Sequence, residues 1–274
     1  RLNGRSKGNI SQSRGYINLD SLTLYGVQIT NIQGPIWIDN NQTLVGSYAK
    51  ANGGEPSLVG EVFSGKITFD GWVAHNDKYP FLFTTELEKS QLADLATELA
   101  PQWKGLSGDG YGYLQMKGEA NDLYSYTGNG SFHLQNAKIH QLPIVLSLLK
   151  ILSIKEVTRN AFDSSNLDFV VSGNRLKFER IELIGDAISL IGNGYMELMR
   201  HADINFYSVV GRNRLYIPLV SELYRAGSQR IMWINIGGPW SNLKTTRKVL
   251  PGLDDSLRAL IRTTEDPNSR KLQR

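Results

Sequence analysis

The chain has 274 residues, enough for one large domain or two ordinary ones with a sizeable core. It is 41% hydrophobic and 20% charged, which excludes general disorder, and its lack of cysteine excludes a disulfide scaffold, a cysteine-ligated zinc site and a thiol nucleophile. The net charge is +4, and the eight basic and four acidic residues from Lys244 to Arg274 carry the whole excess, which leaves no broad basic face for nucleic acid.

Residues 1–13 are polar and read as a flexible start. From there to about residue 107 the dominant period is two. Ile17 and Leu19 alternate with Tyr16 and Asn18, and Leu22, Leu24, Val27 and Ile29 follow around Gly26. Ile36 and Ile38 lead into an Asp39-Asn40-Asn41 turn. Leu58, Val62, Ile67 and Phe69 come next, with Gly60, Gly65 and Gly71 among them. Leu92, Leu95, Ala96 and Leu99 have helical spacing, and Pro101 stops the helix.

Residues 108–250 continue the strand pattern. Gly108-Asp-Gly, Gly128-Asn-Gly and Gly192-Asn-Gly form a weak repeat, each reading as a turn that enters an alternating strand. Pro143 opens an apolar helix with Ile144, Leu148, Ile151 and Leu152 on one stripe. Its parent run, Leu142 to Ile154, is too short to span a bilayer and reads as a core helix, a cover for an apolar sheet face or a segment lying in a membrane surface. Leu167, Phe169 and Val171 share a face, as do Leu176 and Phe178; the parity then switches at Glu179-Arg180, the sign of a bulge. Leu190, Met196 and Leu198 share the next face, with Asn193, Tyr195 and Glu197 opposite. Arg200-His201-Ala202 reads as a hairpin loop before Ile204 and Phe206. Short helices are expected after Pro218, ending at Gly227, and from Leu253 to Ile261. Residues 251–274 read as that last helix and a polar basic tail; since Arg1 is no initiator methionine, the chain reads as a piece of a longer protein. One apolar and one polar face per strand predicts a mainly β fold with a few short helices and an antiparallel sheet.

Catalytic signatures are nearly absent. His75, His133, His140 and His201 form no metal pattern, and His133 and His140 read as exposed polar residues. Gly4-Arg-Ser6-Lys-Gly8 spells a nucleophile elbow without the strand-to-helix context that chemistry needs. Asp163, Asp168, Glu179, Glu182 and Asp186 read as a solvated strand face. No catalytic residue, metal site or cofactor is expected. The five tryptophans are dispersed, which favours sheet packing over a stacking platform.

From Gly128 to Pro251 the order of motifs resembles the AsmA-like C-terminal region of bacterial envelope proteins. A Gly-Asn-Gly strand reaches Leu134-Gln-Asn-Ala-Lys-Ile139, and Leu142-Pro-Ile-Val145 starts the apolar helix. Ser165-Asn-Leu-Asp-Phe-Val170 and Leu176-Lys-Phe178 follow, then Ile181 through the second Gly-Asn-Gly at Gly194. The close is Ile236-Gly-Gly-Pro-Trp-Ser-Asn-Leu-Lys244, where Leu243 replaces the family's usual proline. Residues 14–107 look like the family's more divergent upstream strands. The resemblance implies a long curved antiparallel sheet, a β-groove with an apolar concave face. It implies the periplasmic part of a protein anchored in the inner membrane and linked to phospholipid transport and outer-membrane biogenesis. It implies phospholipid and membrane partners, with other envelope proteins, and neither catalysis nor nucleic acid.

On this reading the groove is lined by Phe132, Leu134, Leu167, Phe169, Val171, Leu190, Met196, Leu198, Ile204 and Phe206, a set assigned by alternation that a closed sandwich core would share. Replacing Leu198 and Phe206 by Asp is expected to block lipid passage. The rival readings are a glycan-binding β module, an envelope assembly scaffold and a hydrolase with two converging carboxylates. Arg258, Arg262, Arg270 and Lys271 could meet anionic headgroups or stand in a solvated tail.

Overall fold

The computed structural model describes residues 2–7, 10–24, 26–49, 56–99, 105–139, 145, 148, 164–185, 189–198, 200–209 and 231–250. They form a single fifteen-stranded antiparallel sheet. Its strands are β1 (Leu2–Lys7), β2 (Ile10–Leu24), β3 (Val27–Asp39), β4 (Gln42–Val45), β5 (Leu58–Val62), β6 (Gly65–Ala74), β7 (Pro80–Gln91), β8 (Ser107–Glu119), β9 (Asp122–Lys138), β10 (Ser164–Ser172), β11 (Arg175–Ile184), β12 (Ser189–Glu197), β13 (His201–Val209), β14 (Ile231–Pro239) and β15 (Lys244–Leu250). Helix α1 (Leu92–Leu99) joins β7 to β8.

Strand order follows chain order, so nearly every strand pairs with its neighbours in sequence. The exception is one interrupted strand position. β4 and β5 both pair with β3 and β6, and the chain makes an excursion between them. Asp70 stands at the interruption and ties its two sides: one carboxylate oxygen accepts from the Ser47 amide (2.5 Å), the other from the Ser57 hydroxyl (2.6 Å). Local turn chemistry closes the other hairpins. Asp39 Oδ1 accepts from the amides of Asn41 and Gln42, each at 2.8 Å, which makes the expected turn there. Gly26 turns β2 into β3 at φ 86°, a backbone region that costs glycine nothing.

Several expectations meet the structure directly. The parity switch at Glu179-Arg180 is a bulge: β10 and β12 both change register there against β11. Helix α1 covers the expected residues. At the start of the chain, residues 2–7 pair with residues 10–15. The sheet runs unbroken past residue 107, where β8 begins between β7 and β9. β12 ends at Glu197 and β13 begins at His201, so His201 and Ala202 belong to the strand. The Gly-x-Gly segments are not turns: they lie inside β8, β9 and β12. The Pro143 helix is described only at Val145 and Leu148, both helical and buried. The helices expected after Pro218 and over 253–261 lie outside the described residues.

Candidate functional site

Alternation puts every second side chain on the same side, so cross-strand partners trace one face of the sheet. One register row runs from Gly15 through Ile36, Val45, Gly71 and Phe83 to Met116. It continues through Gly128, Val171, Leu176 and Met196 to Ala202. The next row includes Leu58, Phe69, Leu114, Gly130, Phe169, Phe178, Gly194, Ile204 and Ile236. Both rows are almost wholly apolar or glycine from β3 to β14.

The two halves of this face differ in what covers them. From β11 to β14 the face is closed. Leu190 is 0% exposed and Phe206 1%, and Ile204, Ile234 and Ile236 are equally buried. Leu92 and Ala96 of α1, Val145 and Leu148 belong to the same packed cluster, with Leu95, Trp240 and Leu243 against it. From β4 to β10 the cover is partial: Val62, Leu134 and Val171 are buried, but much of the face is not. Val45, Phe69, Phe83, Leu114, Met116, Phe132, Leu167 and Phe169 are all half-buried. Stacked and edge-on rings join Phe69 to Phe83 (5.4 Å), Phe83 to Phe81 (5.8 Å) and Phe81 to Tyr126 (5.3 Å).

Nine of the ten residues assigned to the lining share this face, but they divide between its halves. Phe132, Leu167 and Phe169 are half-buried at the margin of the open part. Leu134, Val171, Leu190, Met196, Ile204 and Phe206 are buried, Leu134, Leu190, Met196, Ile204 and Phe206 within the packed cluster. Leu198 is a correction: it stands beyond the end of β12 in a turn, at φ 30°, and is 49% exposed. Alternation cannot see the turn that removes it from the face. The pairing of Leu198→Asp with Phe206→Asp is therefore no test of a groove, since one position is in the closed core and the other is off the face. The open lining residues Phe83, Leu114 and Met116 were legible from the same alternation in Phe81-Leu-Phe83 and Leu114-Gln-Met116.

The opposite face is polar from β8 onward and holds a cluster that strand-by-strand reading misses. Glu182, expected in a solvated row, is 2% exposed. Its Oε1 accepts from Arg180 Nη2 and its Oε2 from Asn166 Nδ2 (2.8 Å). That turns Asn166 Oδ1 toward His133, whose Nδ1 donates to it. Arg180 Nε is buried without a partner among the described residues. Burial holds the Asp168 carboxyl above its ordinary range, against the opposing pull of Arg180 and with the repulsion of Glu182 and Glu179. His140, Asp163 and Asp186 lie outside the described residues. Upstream, the opposite face carries Trp37, Leu44, Trp72 and Leu82 in one row, with the Arg14 guanidinium 5.0 Å from the Trp37 ring centre.

Among the described residues no cluster of His, Asp and Glu could hold a metal, and no helix is long and apolar enough to cross a membrane. Compared with known proteins, the chain matches no family model, no curated protein and no solved structure.

Proposed function

We propose that this chain is a non-enzymatic lipid-handling protein that holds acyl chains against the half-covered apolar face between β4 and β10. The observation that carries the reading is the contrast within one continuous face: its side chains are sealed from β12 to β14, whereas Val45, Phe69, Phe83, Leu114 and Met116 between β4 and β8 stay half-buried. Half-buried aromatic and aliphatic side chains in contiguous rows call for an apolar occupant. The six neighbouring strands from β4 to β10 span roughly 24 Å at ordinary strand spacing. That exceeds the acyl length of one bilayer leaflet, about 15 Å. Each methylene taken from water contributes about 0.8 kcal/mol, with no directional requirement, so chains can slide along the rows while headgroups stay in water.

The order of motifs that resembles the AsmA-like region supports placing this chain in the periplasm. There it would be the soluble part of a protein anchored in the inner membrane, moving phospholipid between envelope membranes in outer-membrane biogenesis. In that setting the sheet curves into a groove with the apolar face inside.

The test is native mass spectrometry on detergent-free protein from a bacterial periplasm, with extraction of bound lipid. Co-purifying phospholipid, lost in a folded Phe83→Asp, Met116→Asp variant, is the expected result. A folded apo protein that takes up no added phospholipid would overturn the reading. The row of Trp37 and Trp72 favours one second reading, a glycan-binding module; saturable quenching of tryptophan fluorescence by oligosaccharide would then be seen.

A further inference from the structure

Hairpin tips at one end of the sheet are tied to one another through the backbone. His75 N donates to Asn41 O (2.6 Å), Ala120 N to Tyr79 O (3.1 Å), Gly173 N to Tyr126 O (2.7 Å) and Trp240 N to Arg200 O (3.0 Å). Strand register places all these turns at the same end, beyond the pairs Gln42–Ala74, Pro80–Glu119, Glu119–Asp122, Ser172–Arg175 and Glu197–His201. The long connections, including α1, leave from the opposite end. The result is a braced rim rather than a set of independent loops.

This rim carries large apolar side chains that face water. Tyr124 is 76% exposed, and Tyr79, Leu123 and Leu198 are exposed too. Two of them hold backbone conformations that favour glycine or asparagine: Tyr79 at φ 47° and Leu198 at φ 30°. Closing a hairpin does not need a tyrosine or a leucine at such a position, and side chains kept there against local preference mark sites of function. The charges beside them hold no positive excess: Lys78 pairs with Glu119 (3.2 Å) and Arg175 with Glu197 (2.5 Å), and Asp77, Asp122 and Arg200 stand with them.

The rim is continuous with the open apolar face. Tyr126, next to the tip at Tyr124, packs edge-on against Phe81, and the rings of Phe83 and Phe69 lead inward from there. We infer that this rim docks on the surface of a lipid bilayer, and that the track from Tyr126 to Phe69 is where acyl chains pass between bilayer and sheet. The inference rests on the lipid reading above. The occupant follows from the layout: large side chains at the β6–β7, β8–β9 and β12–β13 tips, with about 10 Å of sheet for every two strands, suit a flat fluid surface. Tyrosine is at home there, with its ring in the acyl boundary and its hydroxyl in water. Because the charges beside these side chains carry no positive excess, docking should need no anionic lipid.

The experiment uses the whole chain and a Tyr79→Ser, Leu123→Ser, Tyr124→Ser variant. Vesicle flotation is measured with phosphatidylcholine alone and with added phosphatidylglycerol, at low and raised salt. Uptake of phospholipid from detergent micelles is measured separately. The expected wild type floats with both vesicles at either salt. The variant should load from micelles like wild type yet bind vesicles more than about tenfold more weakly, since burying one such side chain is already worth that much. A variant that floats like wild type overturns the inference, as does flotation only with anionic vesicles. A wild type that loads from micelles but ignores vesicles overturns docking and leaves the lipid reading standing. If that protein instead self-associates through the rim, and the variant does not, a protein partner replaces the bilayer. A wild type that floats but takes up no lipid from micelles supports docking and removes the lipid reading.

Discussion

The ring of Phe169 fills the space that a side chain at Gly130 would need. A Cβ built on Gly130 would stand 2.5 Å from Phe169 Cζ and 2.7 Å from the Tyr113 carbonyl oxygen. The two residues are direct partners across the β9–β10 ladder. Gly192 and Phe206 repeat the arrangement across β12–β13, at 2.6 Å to Cδ1. Gly112 and Phe132 repeat it more loosely across β8–β9, at 3.2 Å to Cδ2. Each pair sets a large ring over a bare stretch of backbone, which keeps the apolar face packed where strand glycine would otherwise leave a gap.

Gly130→Ala should therefore destabilise by overpacking, about 1–3 kcal/mol, because the ring and the Tyr113 backbone must both give way. Gly112→Ala should cost less, since only the ring is tight, at 3.2 Å, and it need give by only a few tenths of an ångström. Urea unfolding of the two variants against wild type checks the order. Equal midpoints for Gly130→Ala and wild type would show that Phe169 does not occupy that space.

These glycines also show where sequence reading stops. A Gly-x-Gly tripeptide pattern reads as turn chemistry because glycine is the commonest punctuation between strands. Only the partner strand reveals Phe169 or Phe206 lying opposite, and partner strands are not visible along the chain. What alternation does fix is the side on which a residue stands, so nine of the ten assigned lining residues share a face and the bulge at Glu179-Arg180 falls where the parity breaks. It does not report cover. Leu190 and Phe83 have the same pattern, yet the first is sealed in the packed cluster with Leu148 and the second is half open. Glu182 escaped for a related reason: its burial depends on Asn166 from β10, sixteen residues away, and a charge on a strand is ordinarily solvated.

The division of the apolar face gives a second prediction. Phe206→Ala should cost about 3–5 kcal/mol, the range for truncating a phenylalanine in a sealed core. Phe83→Ala should cost clearly less, because its side chain is only partly buried. Thermal or urea unfolding distinguishes them, and lipid content should move the other way, falling with Phe83→Ala while the protein stays folded. Similar stability losses at the two positions would mean that the face is closed throughout.

Arg180 and Glu182 should behave as a coupled pair. Removing the guanidinium in Arg180→Met strands a carboxylate that is 2% exposed, with only Asn166 left as a donor. A loss of about 3–5 kcal/mol is expected for breaking a buried pair from one side. The Arg180→Met, Glu182→Leu double variant should recover most of it, since the buried charge has gone. A double-mutant cycle with near-zero coupling would show that the two side chains do not depend on each other.

Asp168 supplies a pH dependence of the less usual sign. Burial is the largest influence on its carboxyl and raises its pKa above the ordinary 3.8, with Glu182 and Glu179 adding to the rise and Arg180 opposing it. The folded protein therefore holds this proton more tightly than the unfolded chain does. By linkage, the carboxyl adds no penalty below the ordinary value, where it is protonated in both states; stability then falls as pH rises through the interval up to the raised folded value, and the full penalty persists above it. Asp168→Asn keeps the shape but cannot ionise. It should be more stable than wild type at neutral pH, and the difference should shrink on acidification and vanish below the ordinary carboxyl range. Urea midpoints across that range give the comparison. An Asn variant less stable than wild type at neutral pH, with the gap closing in acid, would show that the attraction of Arg180 outweighs burial and that Asp168 is held ionised in the fold.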